Sequence, residues 1–146
     1  PNNSINKILS DLKAMRLPGM ARTWQRLMEA HKIDSISMAD GMRMLIQGEN
    51  DMRMSNRTHR LIKNAHFRYT VALGEIAADS ARGIDQSLLN EVATCDYIRH
   101  GYPIIITGPT GTGKSWLASA LGHHACLCGY KVRDYNVMKL FEEITI

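Results

Sequence analysis

No stretch of the sequence is long and apolar enough to cross a membrane, although 45% of its 146 residues are hydrophobic. Residues 1–4 are polar, and no apolar segment of a secretory signal precedes the first predicted helix. Internal repeats and low-complexity tracts are also absent. We therefore expect a globular, cytoplasmic protein that has no membrane partner.

Cysteine is scarce, and its few positions do not indicate a disulfide framework. Cys95, Cys126 and Cys128 are odd in number, which is typical of reduced intracellular proteins. His123 and His124 lie nearby, and His124 is four residues from Cys128 on a predicted helix, so a zinc site is one interpretation. We favour the other, ordinary packing of small thiols, because structural zinc sites normally draw four ligands from more than one element.

Acidic residues are few in the first half of the sequence, and the charge is therefore unevenly distributed. Residues 1–70 hold twelve Lys and Arg against six Asp and Glu, whereas residues 71–146 hold six against eight. The first half therefore carries a charge of +6 and the second −2, which together give the net charge of +4. This asymmetry indicates two functional parts and an anionic partner for the first, with nucleic acid the leading candidate.

Residues 104–115 carry the clearest chemical signal. The isoleucines Ile104–Ile106 predict a strand buried on both faces of a parallel sheet. The octet Gly108–Ser115 follows and matches the phosphate-binding (Walker A) signature G-x-x-x-x-G-K-[ST]. Behind it, an apolar stripe predicts a helix over residues 114–127. A glycine-rich turn without a ligand is the alternative, but strand, loop and helix in this order favour nucleotide binding.

Each residue type in the octet suits a phosphate ligand. Glycines let backbone amide groups turn inward, and a helix N-terminus adds positive potential. We expect Lys114 to reach the β- and γ-phosphates of ATP, and the Ser115 hydroxyl to coordinate Mg²⁺. The predicted cofactor-binding residues are Gly108, Pro109, Thr110, Gly111, Thr112, Gly113, Lys114 and Ser115, and Ser115 is also the predicted metal ligand.

Helical periodicity dominates residues 1–70. A first amphipathic helix is broken at residues 17–19, a second follows, and a third is predicted over residues 38–65, with Gly48 as a point where it could be interrupted. Eight of the nine methionines fall within residues 15–54. We interpret them as fillers of a small helical core, with an adaptable partner-binding surface as the alternative.

The second half of the third predicted helix is basic. Cationic residues recur there at steps of three or four, which places them on one helix face. Such a stripe can follow a phosphate backbone, and because no base-reading motif accompanies it, DNA contact would be sequence-tolerant and salt-sensitive. A solvated face, or one paired with acidic neighbours, is the alternative. The predicted DNA-binding residues are Arg53, Arg57, Arg60 and Lys63.

The remaining sequence predicts a connector and a second set of elements. Residues 71–84 contain glycines and little pattern, which indicates a connector. Asp85 predicts the N-cap of a helix that ends near residues 100–101. Residues 130–135 predict a second strand, and Asn136 predicts the cap of a last helix.

Four segments together resemble the IstB family of insertion-sequence transposition ATPases. They are residues 12–21 (LKAMRLPGMA), 81–85 (ARGID), 106–115 (ITGPTGTGKS) and 118–122 (ASALG). The phosphate loop alone would indicate only a P-loop nucleotidase. The first segment narrows the resemblance, which covers the whole chain.

The resemblance implies an AAA+ ATPase that is related to the DnaC-type helicase loaders. It implies a helical N-terminal domain that engages a transposase, ATP-dependent homo-oligomers on DNA, and ATP with Mg²⁺ as cofactors. The expected function is therefore an ATP-binding accessory protein of DNA transposition, which couples oligomerisation on DNA to transposase engagement. A replicative helicase loader and a non-catalytic nucleotide-binding module are the alternatives.

The sequence also departs from the family pattern, because a Walker B strand, a sensor strand and an arginine finger are not found in it. We therefore assign no catalytic residue, leave ATPase activity open, and expect a fragment or truncated frame that hydrolyses ATP poorly.

The expected fold is α/β. Residues 1–70 form a helical, basic, partner-binding domain, residues 71–84 a connector, and residues 85–146 the first, incomplete part of an AAA+-type P-loop domain with a parallel sheet.

Overall fold

The computed structural model describes residues 2–76 and 84–145, and these ranges are almost entirely helical and irregular. Two short 3₁₀ turns, Ile33–Ser35 and Leu73–Glu75, accompany the α-helices. The chain divides into two compact units, residues 1–57 and residues 58–146. The helices are α1 (Asn2–Ala14), α2 (Pro18–Glu29), α3 (Met38–Ala65), α4 (Gln86–Ala93), α5 (Asp96–Arg99), α6 (Lys114–Leu127) and α7 (Val137–Ile144).

The third helix runs without a break through the glycine where an interruption could have occurred. Its predicted bounds are confirmed, and its start is capped by Ser37, whose Oγ accepts a hydrogen bond from the Asp40 N–H at 3.1 Å. Gly48 is tolerated inside the helix because it lies at a close helix contact. A Cβ built on Gly48 would lie 2.1 Å from Thr23 Oγ1.

In the first unit, α2 approaches α3 closely at two glycines. A Cβ on Gly19 would lie 2.4 Å from the Gly48 carbonyl oxygen and 2.5 Å from the Glu49 Cα, so only hydrogen fits there. On the other side of α2, Trp24 Nε1 donates a 3.0 Å hydrogen bond to the Ile5 carbonyl of α1. Small residues and specific polar contacts therefore set the helix positions in this unit.

A buried carboxylate of α3 caps α2. The residue before α2, Leu17, offers no side-chain cap, and Glu49 Oε2 instead accepts a 3.0 Å hydrogen bond from the Met20 N–H. Arg53 Nε donates to the other oxygen at 3.2 Å. Burial alone would raise the pKa of Glu49, but the hydrogen bonds from Met20, Arg53 and Gly19 outweigh burial and lower it.

Five of the eight methionines of the first unit are exposed and do not fill a core. Among the residues described, Met15, Met38, Met42, Met44 and Met54 are between 41% and 86% exposed. The core-filling interpretation is therefore wrong for these five, and they form apolar surface instead.

The second unit has a compact apolar core beneath α6. The core consists of Val71, Ile76, Leu89 and Ala120, with Leu73, Ile84, Trp116 and Leu117 packed against it. On α6, Gly122 allows the Phe67 ring to lie close to the helix, because a Cβ there would come within 2.4 Å of Phe67 Cε1. This core supports the helix that follows the phosphate loop.

The predicted parallel sheet is not formed, and the α/β fold class was wrong for the described residues. Residues 104–106 and 130–135 adopt no strand, and Ile105, expected to be buried on both faces, is 81% exposed. A strand is defined by hydrogen bonds to a neighbouring strand, and an apolar run alone does not supply one. In the second segment Asp134 bonds to the end of α3 instead: its N–H donates to the Ala65 carbonyl, and its Oδ2 accepts from the Arg68 N–H.

Helix caps were more predictable than strands. Asp85 Oδ1 accepts from the Leu88 N–H at 2.7 Å, and Asn136 Oδ1 accepts from the Met138 N–H at 2.9 Å, as predicted. The helix expected between residues 85 and 101 is instead split into α4 and α5, because Cys95 between them adopts a left-handed backbone with φ of 60°.

Part of the predicted connector, residues 77–83, lies outside the described residues, so the proposed domain boundary at 71–84 stays a prediction. In the described ranges, none of the helices combines the length and the apolar character needed to cross a bilayer.

Candidate functional site

The phosphate-loop sequence forms an exposed turn that leads directly into α6. Gly111 and Gly113 have φ of 84° and 87°, a left-handed conformation that side chains with a Cβ rarely adopt. Gly108 lies close to the later part of the loop, since a Cβ there would be 3.1 Å from Thr112 Oγ1. The glycines of the signature are thus used for backbone conformation and close approach.

Two side chains hold the loop together from within. Thr112 Oγ1 donates a 2.7 Å hydrogen bond to the Pro109 carbonyl, and Lys114 Nζ donates to the Gly108 carbonyl across the loop. The lysine side chain therefore folds back over the loop rather than extending into solvent. Ser115 follows in the first turn of α6 and is exposed.

The N-terminus of α6 presents uncompensated positive potential at the loop. The residue before it, Gly113, has no side chain that could cap the first amide groups, and the first turn contains no acidic residue. α6 is fourteen residues long, so its macrodipole adds to the charge of Lys114. This combination of exposed amide groups, a cation and a hydroxyl fits the phosphates of a nucleotide.

A cavity of about 950 Å³ adjoins the loop. Its lining combines loop residues, among them Gly108, Gly113 and Lys114, with apolar side chains that include Leu88 and Trp116. The volume is within the range of small-molecule pockets, and the combination of a phosphate loop with an apolar wall suits a ligand that is charged at one end.

The predicted DNA-binding residues are all exposed on α3. Arg53 is ion-paired with the buried Glu49 at 3.2 Å and so contributes to the first unit's own packing. Arg57 also takes part in a contact. Arg60 and Lys63 belong to the second unit and are exposed.

A second cluster of reactive side chains lies at the other end of α6. Cys95, His124 and Cys128 each place one ligand atom within 4.8 Å of those of the other two. The sequence spacing suggested a group of His123, His124, Cys126 and Cys128. In the structure, His124 and Cys128 lie close to Cys95, and His123 and Cys126 are not part of the cluster. The i, i+4 spacing of His124 and Cys128 was a usable signal, but the approach of Cys95 depends on tertiary structure.

Hydrogen bonds and burial determine where the protons of these side chains lie. Nε2 of His124 lies 2.7 Å from the Ala93 carbonyl, which can only accept, so this nitrogen carries the proton. Cys128 Sγ lies 3.6 Å from the same Nε2. Burial, together with the neighbouring Cys128 thiol, raises the pKa of Cys95 to about 11, and burial also raises the pKa of Cys126.

One family model matches most of the sequence. A family model described as IstB-like ATP binding protein matches residues 10–146. The match includes the phosphate loop, α6, and almost all of both compact units.

Curated relatives from insertion sequences agree. An ATP-binding protein of insertion sequence IS1162 from Pseudomonas fluorescens is 35% identical over 139 residues, which is 94% of this chain and 60% of the relative. Two insertion-sequence ATP-binding proteins of Sinorhizobium fredii, y4pL and y4uH, are 30% and 33% identical over 94% and 93% of this chain, and over 56% and 55% of their own lengths. The chain thus spans between 55% and 60% of these relatives. The resemblance found from the sequence segments is confirmed, and the chain belongs to the family of IstB-like ATP-binding proteins.

Proposed function

We propose that the chain is an ATP-binding accessory protein of DNA transposition. The observation that carries this proposal is the geometry of Gly108–Ser115, in which left-handed glycines, a folded-back lysine and an uncapped helix N-terminus converge on one exposed turn. The names of the relatives, which are ATP-binding proteins of insertion sequences, support the same conclusion.

The loop would hold the triphosphate with the parts that it already positions. The amide groups at the start of α6 and the ammonium group of Lys114 would bind phosphate oxygens, for which the lysine exchanges its contact with the Gly108 carbonyl. The Ser115 hydroxyl would serve as the protein ligand of Mg²⁺, which, when bound, neutralises phosphate charge. The apolar side chains that line the same cavity would take the less polar end of the nucleotide.

The helical residues before the loop would contact macromolecules. The exposed Arg60 and Lys63, together with Arg53 and Arg57, would meet DNA phosphates, and the exposed methionines of the first unit would offer an adaptable apolar surface to a transposase. ATP-dependent homo-oligomers on DNA would couple the two activities. The asymmetry of charge between residues 1–70 and 71–146 supports this division.

Nucleotide binding is tested by titrating the chain with a fluorescent ATP analogue in the presence of Mg²⁺. Lys114→Ala should raise Kd by at least about tenfold, because a charge-assisted phosphate contact contributes about 1.5–3 kcal/mol. Lys131→Ala is the matched control, since it removes one exposed positive charge from the same unit away from the loop. Equal weakening by both variants, or none by Lys114→Ala, would contradict the proposed site.

DNA contact is tested separately by titrating duplexes of unrelated sequence over a range of salt concentrations. The double variant Arg60→Ala/Lys63→Ala should weaken binding equally for all duplexes and reduce the slope of log K against log salt by about 2. Lys7→Ala/Lys13→Ala removes the same charge from exposed positions on α1. An unchanged salt slope in the α3 variant would exclude these residues as the DNA contact. Co-purification with a replicative helicase in place of a transposase would favour a helicase loader.

A further inference from the structure

The C-terminal end of α6 carries a cluster of metal-ligating groups that the nucleotide site does not use. Cys95 stands between α4 and α5, whereas His124 and Cys128 stand one turn apart on and just after α6. The three ligand atoms lie within 4.8 Å of one another, although Cys95 is 29 positions from His124 and 33 from Cys128 in the sequence. We propose that Cys95, His124 and Cys128 form a binding site for a soft divalent cation, with Zn²⁺ as the natural occupant.

The distances already resemble those of a metal site. Zn–S bonds of about 2.3 Å and Zn–N bonds of about 2.0–2.1 Å in a tetrahedron place sulfur and nitrogen ligands about 3.5 Å apart. Cys128 Sγ lies 3.6 Å from His124 Nε2, and the ligand atom of Cys95 lies within 4.8 Å of those of His124 and Cys128. Only small side-chain movements therefore separate the cluster from a coordination shell.

The donor set selects the kind of cation. Two thiolates and one imidazole are soft or borderline ligands, which favour Zn²⁺ over Mg²⁺ and Ca²⁺. Cys95 is 1% exposed, so its thiol is shielded from solvent, whereas Cys128 is exposed and gives the ion a route of entry. Three protein ligands leave the fourth tetrahedral position to water.

Binding would exchange protons and one hydrogen bond for metal bonds. Both thiols lose their protons to solvent, and the proton on Nε2 of His124 moves to Nδ1, so that one Zn²⁺ binds and two protons are released. The hydrogen bond from Nε2 to the Ala93 carbonyl is lost in this exchange. This hydrogen bond joins α6 to the last residue of α4, whereas the bound ion would join α6 to Cys95, between α4 and α5.

The site differs from the grouping that sequence spacing suggests, and this difference supplies the control. Cys126 is buried on α6, two residues before Cys128, but does not belong to the cluster. Cys126→Ala removes a thiol without removing a ligand. Cys128→Ser removes a ligand at an exposed position, where the fold is least affected.

The test is a titration of the reduced, metal-free chain with Co²⁺ as a spectroscopic probe, followed by displacement with Zn²⁺. Wild type and Cys126→Ala should take up one equivalent and develop the absorption bands of tetrahedral thiolate-bound Co²⁺. Replacing an outer-shell residue of a metal site typically costs 10–100-fold in affinity, so loss of a direct ligand in Cys128→Ser or His124→Gln should cost at least about 100-fold. Zn²⁺ should also raise the Tm of wild type and Cys126→Ala, but not that of Cys128→Ser.

Circular dichroism shows whether each variant is folded. A loss of Co²⁺ binding in a folded variant can then be assigned to the loss of a ligand. Absence of a tetrahedral band in folded wild type would overturn the proposal. So would a band that Cys126→Ala abolishes as completely as Cys128→Ser, because the ligands would then differ from those assigned.

Discussion

The two compact units are stabilised in different ways. Among the described residues of the first, the buried hydrophobic side chains are Ala21, Leu27 and Leu45, and they are accompanied by the buried polar residues Thr23 and Glu49. In the second, a cluster of apolar side chains lies under α6. The first unit therefore depends on close helix contacts and on one charged cap, whereas the second depends on apolar volume that supports the phosphate loop.

This difference can be measured because each unit contains one tryptophan. Trp24 belongs to the first unit and Trp116 to the second, and the sequence contains no other. A Trp116→Phe background reports unfolding of the first unit through Trp24 fluorescence. A Trp24→Phe background reports the second unit through Trp116.

The largest effect is expected from loss of volume in the second unit. Leu89 is 7% exposed in the core below α6, and Leu89→Ala should reduce the free energy of unfolding of this unit by about 3 kcal/mol, because it leaves a cavity. Leu88→Ala is the matched control, since Leu88 is the adjacent residue and 48% exposed. It should cost no more than about 0.5 kcal/mol. Urea titration followed by Trp116 fluorescence measures both, and equal losses would show that apolar volume is not what stabilises this unit.

The next effect concerns the close helix contact of the first unit. Gly19→Ala places a Cβ 2.4 Å from a backbone oxygen that no rotamer change can move, and should destabilise the unit by about 2 kcal/mol. Gly41→Ala, also on a helix of this unit, meets only the Ile36 side chain at 3.9 Å and should stabilise it by about 0.5–1 kcal/mol, because alanine favours helix. Trp24 fluorescence in urea compares the two. A Gly19→Ala midpoint at or above that of Gly41→Ala would contradict the close contact.

Local sequence signals predicted the elements that local interactions form. The bounds of α3 and α6 and the caps at Asp85 and Asn136 followed from spacing and from side chains that bond within three residues. The phosphate loop belongs to the same class, since its glycines act on their own backbone. Its role in binding nucleotide remains a prediction.

Structural features that require a partner distant in the sequence were predicted less well. The apolar runs at 104–106 and 130–135 carry strand propensity, but a strand needs another strand, and none pairs with them in the described ranges. Likewise, Cys95 joins His124 and Cys128 only through the left-handed turn between α4 and α5, for which the sequence offers no glycine. No local pattern identifies Glu49 as a cap, because the amide group that it caps lies twenty-nine residues away.

The smallest of the three effects, and the one that depends on pH, concerns this carboxylate. The pKa of Glu49 is lowered in the folded chain. The contribution of this carboxylate to the free energy of unfolding is therefore complete above the unfolded pKa of about 4.3, and it is lost as pH falls through the lower, folded pKa.

Glu49→Gln keeps an acceptor for the Met20 N–H but removes the charge that faces Arg53 and the α2 N-terminus. At neutral pH it should cost the first unit about 1 kcal/mol, and the difference from wild type should shrink below about pH 4. Glu29→Gln is the control, because it removes one carboxylate at an exposed position at the end of α2. Urea midpoints from Trp24 fluorescence across this pH range decide the matter, because a Glu49→Gln deficit that persists unchanged in acid would indicate lost packing and not a lost charge.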